Sequence, residues 1–301
     1  MILTVTPNPA WDITYSVDAL APGRTHRVRH VAERAGGKGI NVARVLHRLG
    51  HEVLVTAPLG GATGDLVRAG LAGLDHSIAP IRDSTRRTVS VVTDGDATLL
   101  NEPGPALTAE EWQGLRALVA ARLDQVSVVV LSGSLPRGVS PADYADLVRS
   151  VPRPTIVDTS GEALAHAASA GPDIVKPNAD ELRDLTGCAD PLRGATALRS
   201  QGAHAVVASL GPEGLLAVTA EGAFRAAPGR EVRGNPTGAG DSVVAALAVG
   251  VAAGTPWPDR LRNAVALSAA TVAAPVAGEF TRDEYEKQLA AVHLEEIPCP
   301  S

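Results

Sequence analysis

The sequence is poor in aromatic residues, cysteine and methionine. Of its 301 residues, 3% are aromatic, two are cysteine and one is methionine. A core with so few rings must depend on alanine, valine and leucine, and the 45% hydrophobic content is ordinary for a globular protein. Cys188 and Cys299 show no pairing pattern, which excludes a disulfide-rich scaffold and is typical of a reducing compartment.

The sequence also lacks the features of membrane, secreted and nucleic-acid-binding proteins. It has no charge-free apolar run of about 18 residues, and its first residues carry no basic region followed by a cleavable apolar segment. The net charge of -6 argues against a broad surface for nucleic acid. The 22 prolines and 30 glycines are spread out, so no linker is visible. We therefore expect a cytoplasmic protein with no membrane or nucleic-acid partner.

The most informative stretch is residues 234–241, Gly-Asn-Pro-Thr-Gly-Ala-Gly-Asp, which precedes an apolar helix predicted over residues 242–254. Gly238 and Gly240 permit a sharp turn that exposes N–H groups, and the N-terminal end of a helix attracts anions. Asp241 would lie in the first helical turn, where its carboxylate could accept a proton from a hydroxyl that attacks a phosphoryl group. The alternative is that Asp241 only caps the helix.

A second glycine-rich stretch covers residues 35–49. It is not a P-loop, because Gly39 rather than Ser or Thr follows the Gly-Lys pair, and it is not a dinucleotide fingerprint. Gly36 and Gly37 could form a floor against which a polyol lies, with Asn41 offering donors and an acceptor. The alternative is a plain glycine-rich turn.

Three other positions carry chemistry that the residues alone leave open. Asp12 follows the first strand, where an acid could bind sugar hydroxyls or serve only a turn. Arg86 and Arg87 precede the predicted hairpin, so one of them could reach an anionic ligand, or both could lie on the surface. After a later strand, Lys176 could contact phosphate, while Asn178 and Glu181 could hold Mg²⁺ directly or through water. The alternative for this last group is a solvated helix start.

The order of elements predicts an α/β fold. Apolar strands and capped helices alternate from residue 108 onward, which indicates a mainly parallel central sheet with helices on both faces. Polar, glycine-bearing loops fall at the carboxyl ends of the strands, where such sheets bind ligands. Residues 88–100 form a predicted hairpin around Asp94-Gly95 and, together with residues 13–31, could build a small separate sheet.

These pieces resemble the PfkB branch of the ribokinase-like sugar kinases over essentially the whole chain. Residues 36–44, Gly-Gly-Lys-Gly-Ile-Asn-Val-Ala-Arg, are similar to the first family signature, and residues 235–242, Asn-Pro-Thr-Gly-Ala-Gly-Asp-Ser, to the second. Val-Lys-Pro-Asn-x-x-Glu at residues 175–181 lies between them. Further segments are similar to the hexose-phosphate kinases of this family, namely residues 6–12, 85–86, 101–105, 133–136 and 209–214.

The resemblance implies a role for each group of candidate residues. It makes Asp241 the general base and the backbone amides of Gly238, Ala239, Gly240 and Asp241 an anion hole. The implied sugar-phosphate ligands are Asp12, Arg24, Gly36, Gly37, Lys38, Asn41, Arg86 and Ser134. The implied ATP ligands are Lys176, Ser209, Gly211, Gly214 and Asn263, with adenine near residues 274–278. The implied Mg²⁺ residues are Asn178 and Glu181, directly or through water.

The resemblance also implies the activity and the assembly. The chain would be one ribokinase-like domain over residues 1–301, with inserted lid segments at residues 12–34 and 85–104 that pair with a second subunit. It would use ATP and Mg²⁺ to phosphorylate a ketohexose monophosphate. Fructose 1-phosphate is the first expectation, followed by fructose 6-phosphate or tagatose 6-phosphate. A kinase of an unphosphorylated sugar or nucleoside would not need the arginines, and a sugar-phosphate sensor on the same fold would not turn over.

Two positions depart from the family pattern. Trp11 stands beside Asp12 where relatives more often carry Leu, and Arg137 replaces a proline that is common after the Gly-Ser-Leu-Pro segment at residues 133–136. Arg137 could therefore add a basic group near the phosphate of the substrate.

Overall fold

The computed structural model describes residues 1–93, 96–274 and 278–298, which form two separate sheets and their covering helices. The strands of the large sheet are β1 (Ile2–Val5), β4 (Val53–Leu59), β5 (Asp75–Pro80), β8 (Val128–Ser132), β9 (Thr155–Asp158), β10 (Ile174–Val175), β11 (Ala205–Ser209), β12 (Leu215–Val218), β13 (Ala223–Ala227) and β14 (His293–Ile297). The strands of the small sheet are β2 (Ala10–Ser16), β3 (His30–Gly36), β6 (Arg86–Thr93) and β7 (Asp96–Asn101). The α-helices are α1 (Lys38–Arg48), α2 (Gly61–Ala69), α3 (Ala109–Ala120), α4 (Pro141–Arg149), α5 (Gly161–Ser169), α6 (Ala179–Thr186), α7 (Pro191–Ser200), α8 (Ala239–Ala252), α9 (Trp257–Ala273) and α10 (Arg282–Ala291).

The large sheet has the strand order β14-β13-β12-β11-β10-β9-β8-β1-β4-β5. Its seven strands from β11 to β5 pair in parallel, and β12, β13 and β14 extend it in antiparallel fashion. Helices cover both faces, so the central strands are apolar throughout, as in the Val-Val-Val-Leu-Ser sequence of β8. The predicted α/β fold with a mainly parallel sheet is therefore confirmed.

The core consists of two layers, one on each face of the large sheet. One layer holds α1, α8 and α9, and the other holds α3, α4, α5 and α7. Aliphatic side chains fill both layers, as the scarcity of aromatic residues requires. Helix α8 is buried around most of its circumference, and its alanines allow close packing against α1 and α9.

The small sheet has the strand order β3-β2-β6-β7. Strands β2 and β3 are antiparallel, β2 and β6 are parallel, and β6 and β7 form the predicted hairpin. The turn residues 94 and 95 lie outside the described residues. The sheet matches the two segments expected from the sequence, although residues 17–29 form a long loop rather than a continuous ribbon.

The sequence did not indicate every element. Strand β5 has the sequence Asp-His-Ser-Ile-Ala-Pro, which lacks a strand pattern, and β14 follows a polar helix near the end of the chain. Helix α8 begins at Ala239, three residues before the predicted apolar run, because Gly238 supplies the left-handed cap with a φ of 85°. Among the described residues, no helix combines the length and apolar character needed to cross a bilayer.

Candidate active site

Candidate residues from distant parts of the sequence meet at the carboxyl edge of the parallel strands. The loop after β1 carries Asn8, the end of β9 carries Asp158, and Lys176 follows β10. The N-terminal ends of α1 and α8 lie at the same edge, since Asn41 contacts Asp241. Ligand sites in open α/β sheets form at this edge because loops of different lengths meet there.

The glycine turn, residues 238–241, forms the N-terminal end of α8. A Cβ atom on Gly238 would lie 2.5 Å from the Cα of Gly278, so this position has no room for a side chain. The amide of Gly278 donates to the carbonyl of Thr237 at 2.9 Å and holds the two segments together. The amide of Ala239 donates to the carbonyl of Pro236 at 3.1 Å, contrary to its expected place in the anion hole. The helix dipole and the other amides of the helix start favour an anion at this turn.

Asp241 is buried, with 8% of its surface exposed. Its Oδ2 accepts a hydrogen bond from Nδ2 of Asn41 at 2.9 Å, and no side-chain bond caps α8. Burial, and next the negative charge of Asp158, raise the pKa of Asp241 to about 6, although Asn41 and two nearby lysines oppose the shift. The geometry therefore does not support capping as the role of this carboxylate.

Asp158 holds two lysines next to Asp241. Its Oδ1 accepts from Nζ of Lys38 at 3.2 Å and from Nζ of Lys176 at 3.3 Å, and Oδ2 accepts from the Ser132 hydroxyl at 3.2 Å. Burial opposes ionisation of Asp158, but Lys176 and Lys38 outweigh it and lower its pKa. The sequence analysis missed Asp158 as a site residue, although an acid at the end of an apolar strand was a usable signal.

Asp12 lies on β2 among arginines. Burial raises its pKa, while the charges of Arg34, Arg86 and Arg44 oppose that shift. Gly36 on the paired strand β3 leaves the space that the carboxylate occupies, because a Cβ atom there would lie 1.9 Å from Oδ2 of Asp12. This close approach explains why glycine stands at position 36.

A cavity of about 330 Å³ lies between the small sheet and the loop after β8. Arg86 and Arg137 line it, and both are held by backbone carbonyls: Arg86 by Asn8 and Glu102, Arg137 by Gly104. The residues that line the cavity are Asp83, Ser84, Arg86, Glu102, Pro103, Gly104, Pro105 and Arg137.

Of the two other residues expected to bind the phosphate, Ser134 lies near this cavity and Arg24 does not. The Ser134 hydroxyl accepts from Nδ2 of Asn8 at 3.2 Å, and the same Asn8 amide bonds to Pro103 of the cavity wall. Arg24 is exposed in the β2–β3 loop and does not line the cavity. Within one chain, the structure thus brings Ser134 to the cavity wall but not Arg24.

The expected ATP residues occupy the loops after β10 and β11. The amide of Ser209 donates to the carbonyl of Pro177 at 3.0 Å, which places it beside Lys176. Gly214 ends the following tight turn with a φ of 88°, where a side chain would lie 2.1 Å from the carbonyl of Ala226. Gly211, with a φ of 61°, begins that turn. These glycines shape the backbone of the loop.

Asn263 lies on α9, and the segment expected near adenine follows that helix. The Asn263 side chain already accepts from the Tyr285 hydroxyl at 2.8 Å and donates to the Asp259 carbonyl at 2.9 Å. These two bonds orient the amide and leave one N–H and one oxygen lone pair for a base. Of the 274–278 segment, residues 275–277 lie outside the described part of the chain.

Asn178 and Glu181 form a capping box at the start of α6. The Asn178 side chain accepts from the Glu181 amide, and Oε2 of Glu181 accepts from the Asn178 amide, both at 2.8 Å. Among the described residues, no cluster of three or more acidic, histidine or cysteine side chains could hold a metal. The remaining oxygens of Asn178 and Glu181 fit an Mg²⁺ that retains water and arrives with phosphate groups, rather than a permanently bound ion.

Comparisons with known proteins identify similar sequences over the whole chain. The family model for "pfkB family carbohydrate kinase" matches residues 6–283. ATP-dependent 6-phosphofructokinase isozyme 2 of Mycobacterium tuberculosis is 40% identical, covering 96% of this chain and 90% of that protein. Tagatose-6-phosphate kinase of Staphylococcus epidermidis is 30% identical, covering 99% and 100%.

Solved structures agree with this result. Phosphofructokinase-2 from Escherichia coli in complex with fructose-6-phosphate is 31% identical, with a TM-score of 0.86 over 96% of this chain and 98% of that chain. A possible 1-phosphofructokinase from Thermotoga maritima has the same TM-score of 0.86 over 98% and 99%, but its 22% identity shows the fold alone.

The raised pKa of Asp241 predicts that replacing this residue stabilises the protein at alkaline pH. The protonated carboxyl contributes stability that is present in full below its ordinary pKa of 3.8 and is lost as the pH rises through about 6. Asp241→Asn cannot ionise, so we expect its free energy of unfolding to exceed that of the native chain by about 1–3 kcal/mol at pH 8. Urea unfolding of both proteins at pH 4.5, 6 and 8 measures this difference, and a gain that does not grow with pH would contradict the shift.

Proposed function

Because the chain belongs to the pfkB family of carbohydrate kinases, we propose that it transfers the terminal phosphoryl group of ATP to a free primary hydroxyl of a ketohexose monophosphate. The observation that carries this proposal is Asp241, a buried carboxylate at the glycine turn of a helix start. A general base and an anion site are the two elements that phosphoryl transfer requires from a protein.

Asp241 is suited to accept the proton of the attacking hydroxyl. With a pKa of about 6, it is mostly ionised at neutral pH and is yet a stronger base than an exposed aspartate. Its hydrogen bond from Asn41 holds the carboxylate in one orientation. The amides of Gly238, Gly240 and Asp241 would stabilise the negative charge on the transferred group, since that of Ala239 is bonded to Pro236.

The nucleotide would lie across the loops after β10 and β11. Lys176 is 4% exposed, so its charge acts in a poorly solvated place and interacts strongly with an anion. Ser209, Gly211 and Gly214 would approach the phosphates, and Asn263 the base. Asn178 and Glu181 would hold Mg²⁺ through water; when bound, the ion neutralises charge on the phosphates.

The sugar phosphate would lie between the small sheet and the glycine floor. Asp12 with Gly36, Gly37 and Asn41 would bind the hydroxyls, and Lys38 would face the phosphoryl group. Arg86, Arg137 and Ser134 would bind the existing phosphate in the cavity. Arginine suits this task because its planar donors match phosphate oxygens.

We infer that the existing phosphate is on carbon 6. The two curated relatives described above are a 6-phosphofructokinase and a tagatose-6-phosphate kinase, at 40% and 30% identity. The likeness to a possible 1-phosphofructokinase shows the fold alone and does not support fructose 1-phosphate, the first expectation from the sequence. Fructose 1-phosphate remains the competing substrate.

The test is a comparison of kcat/KM with ATP for fructose 6-phosphate, tagatose 6-phosphate and fructose 1-phosphate, with fructose and ribose as unphosphorylated controls. We expect a strong preference for a 6-phosphate. Asp241→Asn serves as the inactive control, with kcat lowered by about 10²–10⁴-fold. Equal activity on free sugars would contradict the proposed substrate class. If the native chain turned over none of these compounds, the result would favour a sugar-phosphate sensor instead of a kinase.

Arg86 and its neighbour Arg87 provide a matched test of the phosphate cavity. Arg86 lines the cavity, whereas Arg87 is exposed and forms an ion pair with Glu102. Arg86→Ala should raise KM for the sugar phosphate by about tenfold or more, the effect of losing one charged hydrogen bond. Arg87→Ala should leave KM unchanged. Steady-state kinetics at saturating ATP measure both, and equal effects would remove the assignment of Arg86.

We further propose that the small sheet is a lid over the single catalytic domain and pairs with the small sheet of a second copy. The sheet register places Asp12, Arg34 and Arg86 on one face. The opposite face carries two apolar cross-strand rows, Tyr15–Val31–Val91 and Ile13–Val89–Leu100. Leu100 is 58% exposed and Val31 is 49% exposed, so the outer part of this face lacks cover in one chain, whereas Ile13 is 8% exposed.

Leu99 and Leu100 test the dimer because they are equally exposed on opposite faces of β7. Leu100→Glu should convert a dimer into a monomer by burying a charge in the apolar face. Leu99→Glu should leave the dimer intact. Sedimentation equilibrium gives both masses; a monomeric native chain, or dissociation by both variants alike, would exclude pairing through this face.

A further inference from the structure

The environment of Asp158 sets it apart from the residues expected to contact substrate. It is 1% exposed, and both carboxylate oxygens are engaged: Oδ1 by the two lysines and Oδ2 by Ser132. A group enclosed in this way cannot bind a ligand directly. Any effect of Asp158 on the reaction must pass through its partners.

The two lysines gain a fixed arrangement from this single carboxylate. Two ammonium groups that share one oxygen repel each other, and the negative charge between them compensates for that repulsion. Lys176 lies next to the glycine turn, since its Nζ would be 3.7 Å from a Cβ atom on Gly240. Lys38 comes from the start of α1 and remains 43% exposed. One carboxylate thus joins a buried cation and a solvent-accessible cation.

We propose that Asp158 is a positioning residue that holds the ammonium groups of Lys38 and Lys176 together beside the glycine turn before the substrates bind. The inference rests on the proposed kinase function, because it takes the transferred phosphoryl group as the anion on which both ammonium groups converge. Fixed cations need no reorganisation when negative charge develops, which lowers the barrier without tighter binding of the ground state.

The charges that face Asp241 give this role a distinctive signature. They are the carboxylate of Asp158 and the ammonium groups of Lys38 and Lys176, while Asn41 donates the one neutral hydrogen bond. Loss of the Asp158 charge removes its repulsion of the Asp241 carboxylate, and it leaves the positive charges of Lys38 and Lys176 uncompensated. Both changes lower the pKa of Asp241, so the acidic limb of the kcat profile should move to lower pH.

The test compares Asp158→Asn with Asp173→Asn. Asp173 precedes β10 at the opposite edge of the sheet and accepts from the amide of Thr155 at 2.8 Å. Asp158→Asn should lower kcat by about 10- to 100-fold, the scale of misplaced catalytic groups. The KM for the sugar phosphate should not change, and the acidic limb of the kcat profile should move to lower pH. Asp173→Asn should lower the melting temperature without either kinetic change.

A double-mutant cycle with Lys38→Met shows whether Asp158 acts through the lysine. The loss of kcat from Lys38→Met should be smaller in the Asp158→Asn background than in the native chain. If Asp158→Asn does not fold, Ser132→Ala replaces it in the cycle. This variant removes the hydrogen bond to Oδ2 of Asp158 but keeps every charge. Additive losses in the cycle would overturn the positioning role.

The same assays separate this inference from the function on which it rests. A native chain that does not turn over any sugar phosphate overturns the proposed function, and the positioning role with it. A native chain that turns over normally, together with Asp158→Asn of unchanged kcat and pH profile, overturns only the role of Asp158.

Discussion

The site depends on a balance of charges removed from water. Asp158, Asp241 and Lys176 are buried beside the glycine turn, where an unpaired charge of either sign would be costly, and Lys38 reaches Asp158 from a partly exposed position. Each lysine lowers the cost of burying the acids, and the acids hold the lysines in place. The balance also separates the two carboxylates chemically: direct ion pairs lower the pKa of Asp158, while burial raises that of Asp241. One cluster therefore supplies a permanent anion and a usable base.

The alternation of strand side chains gives the small sheet two distinct surfaces. Trp11 and Asp12, one position apart on β2, point to opposite sides, so the face of Asp12 can line the cleft. On the other face Trp11 packs against the chain's own core, and the apolar rows beyond it form the surface proposed to meet a second copy. Gly36 makes this possible at the root of the sheet, where the Asp12 carboxylate occupies the space of a side chain. The geometry of the site and the proposed pairing thus follow from a single register.

The sequence predicted the parallel sheet, the glycine turn and the hairpin, because each depends on local patterns of apolar residues, glycine and caps. It did not predict β5, whose Asp-His-Ser-Ile-Ala-Pro sequence lacks a strand pattern, or β12 and β13, which form short hairpins, or β14, whose partner β13 lies about 70 residues earlier. The cluster around Asp158 was missed for the same reason as β14: its partners Lys38 and Ser132 are 120 and 26 residues away. Strand order is a tertiary property, and a motif search detects only neighbours in sequence.

In the cavity proposed for the phosphate, backbone carbonyls order the two arginines, while the carboxylates of Asp12 and Glu102 act on Arg86 through their charge. Arg86 donates to the carbonyls of Asn8 and Glu102, and Arg137 to that of Gly104, so neutral oxygens fix both guanidinium groups. Arg87, one residue away, is instead paired with a carboxylate. A directly bonded carboxylate would have to be displaced before a phosphate could bind, whereas a carbonyl partner fixes the guanidinium group and so lowers the entropic cost of binding. The fixed positions of Arg86 and Arg137, rather than arginine content, distinguish this cavity from the rest of the surface.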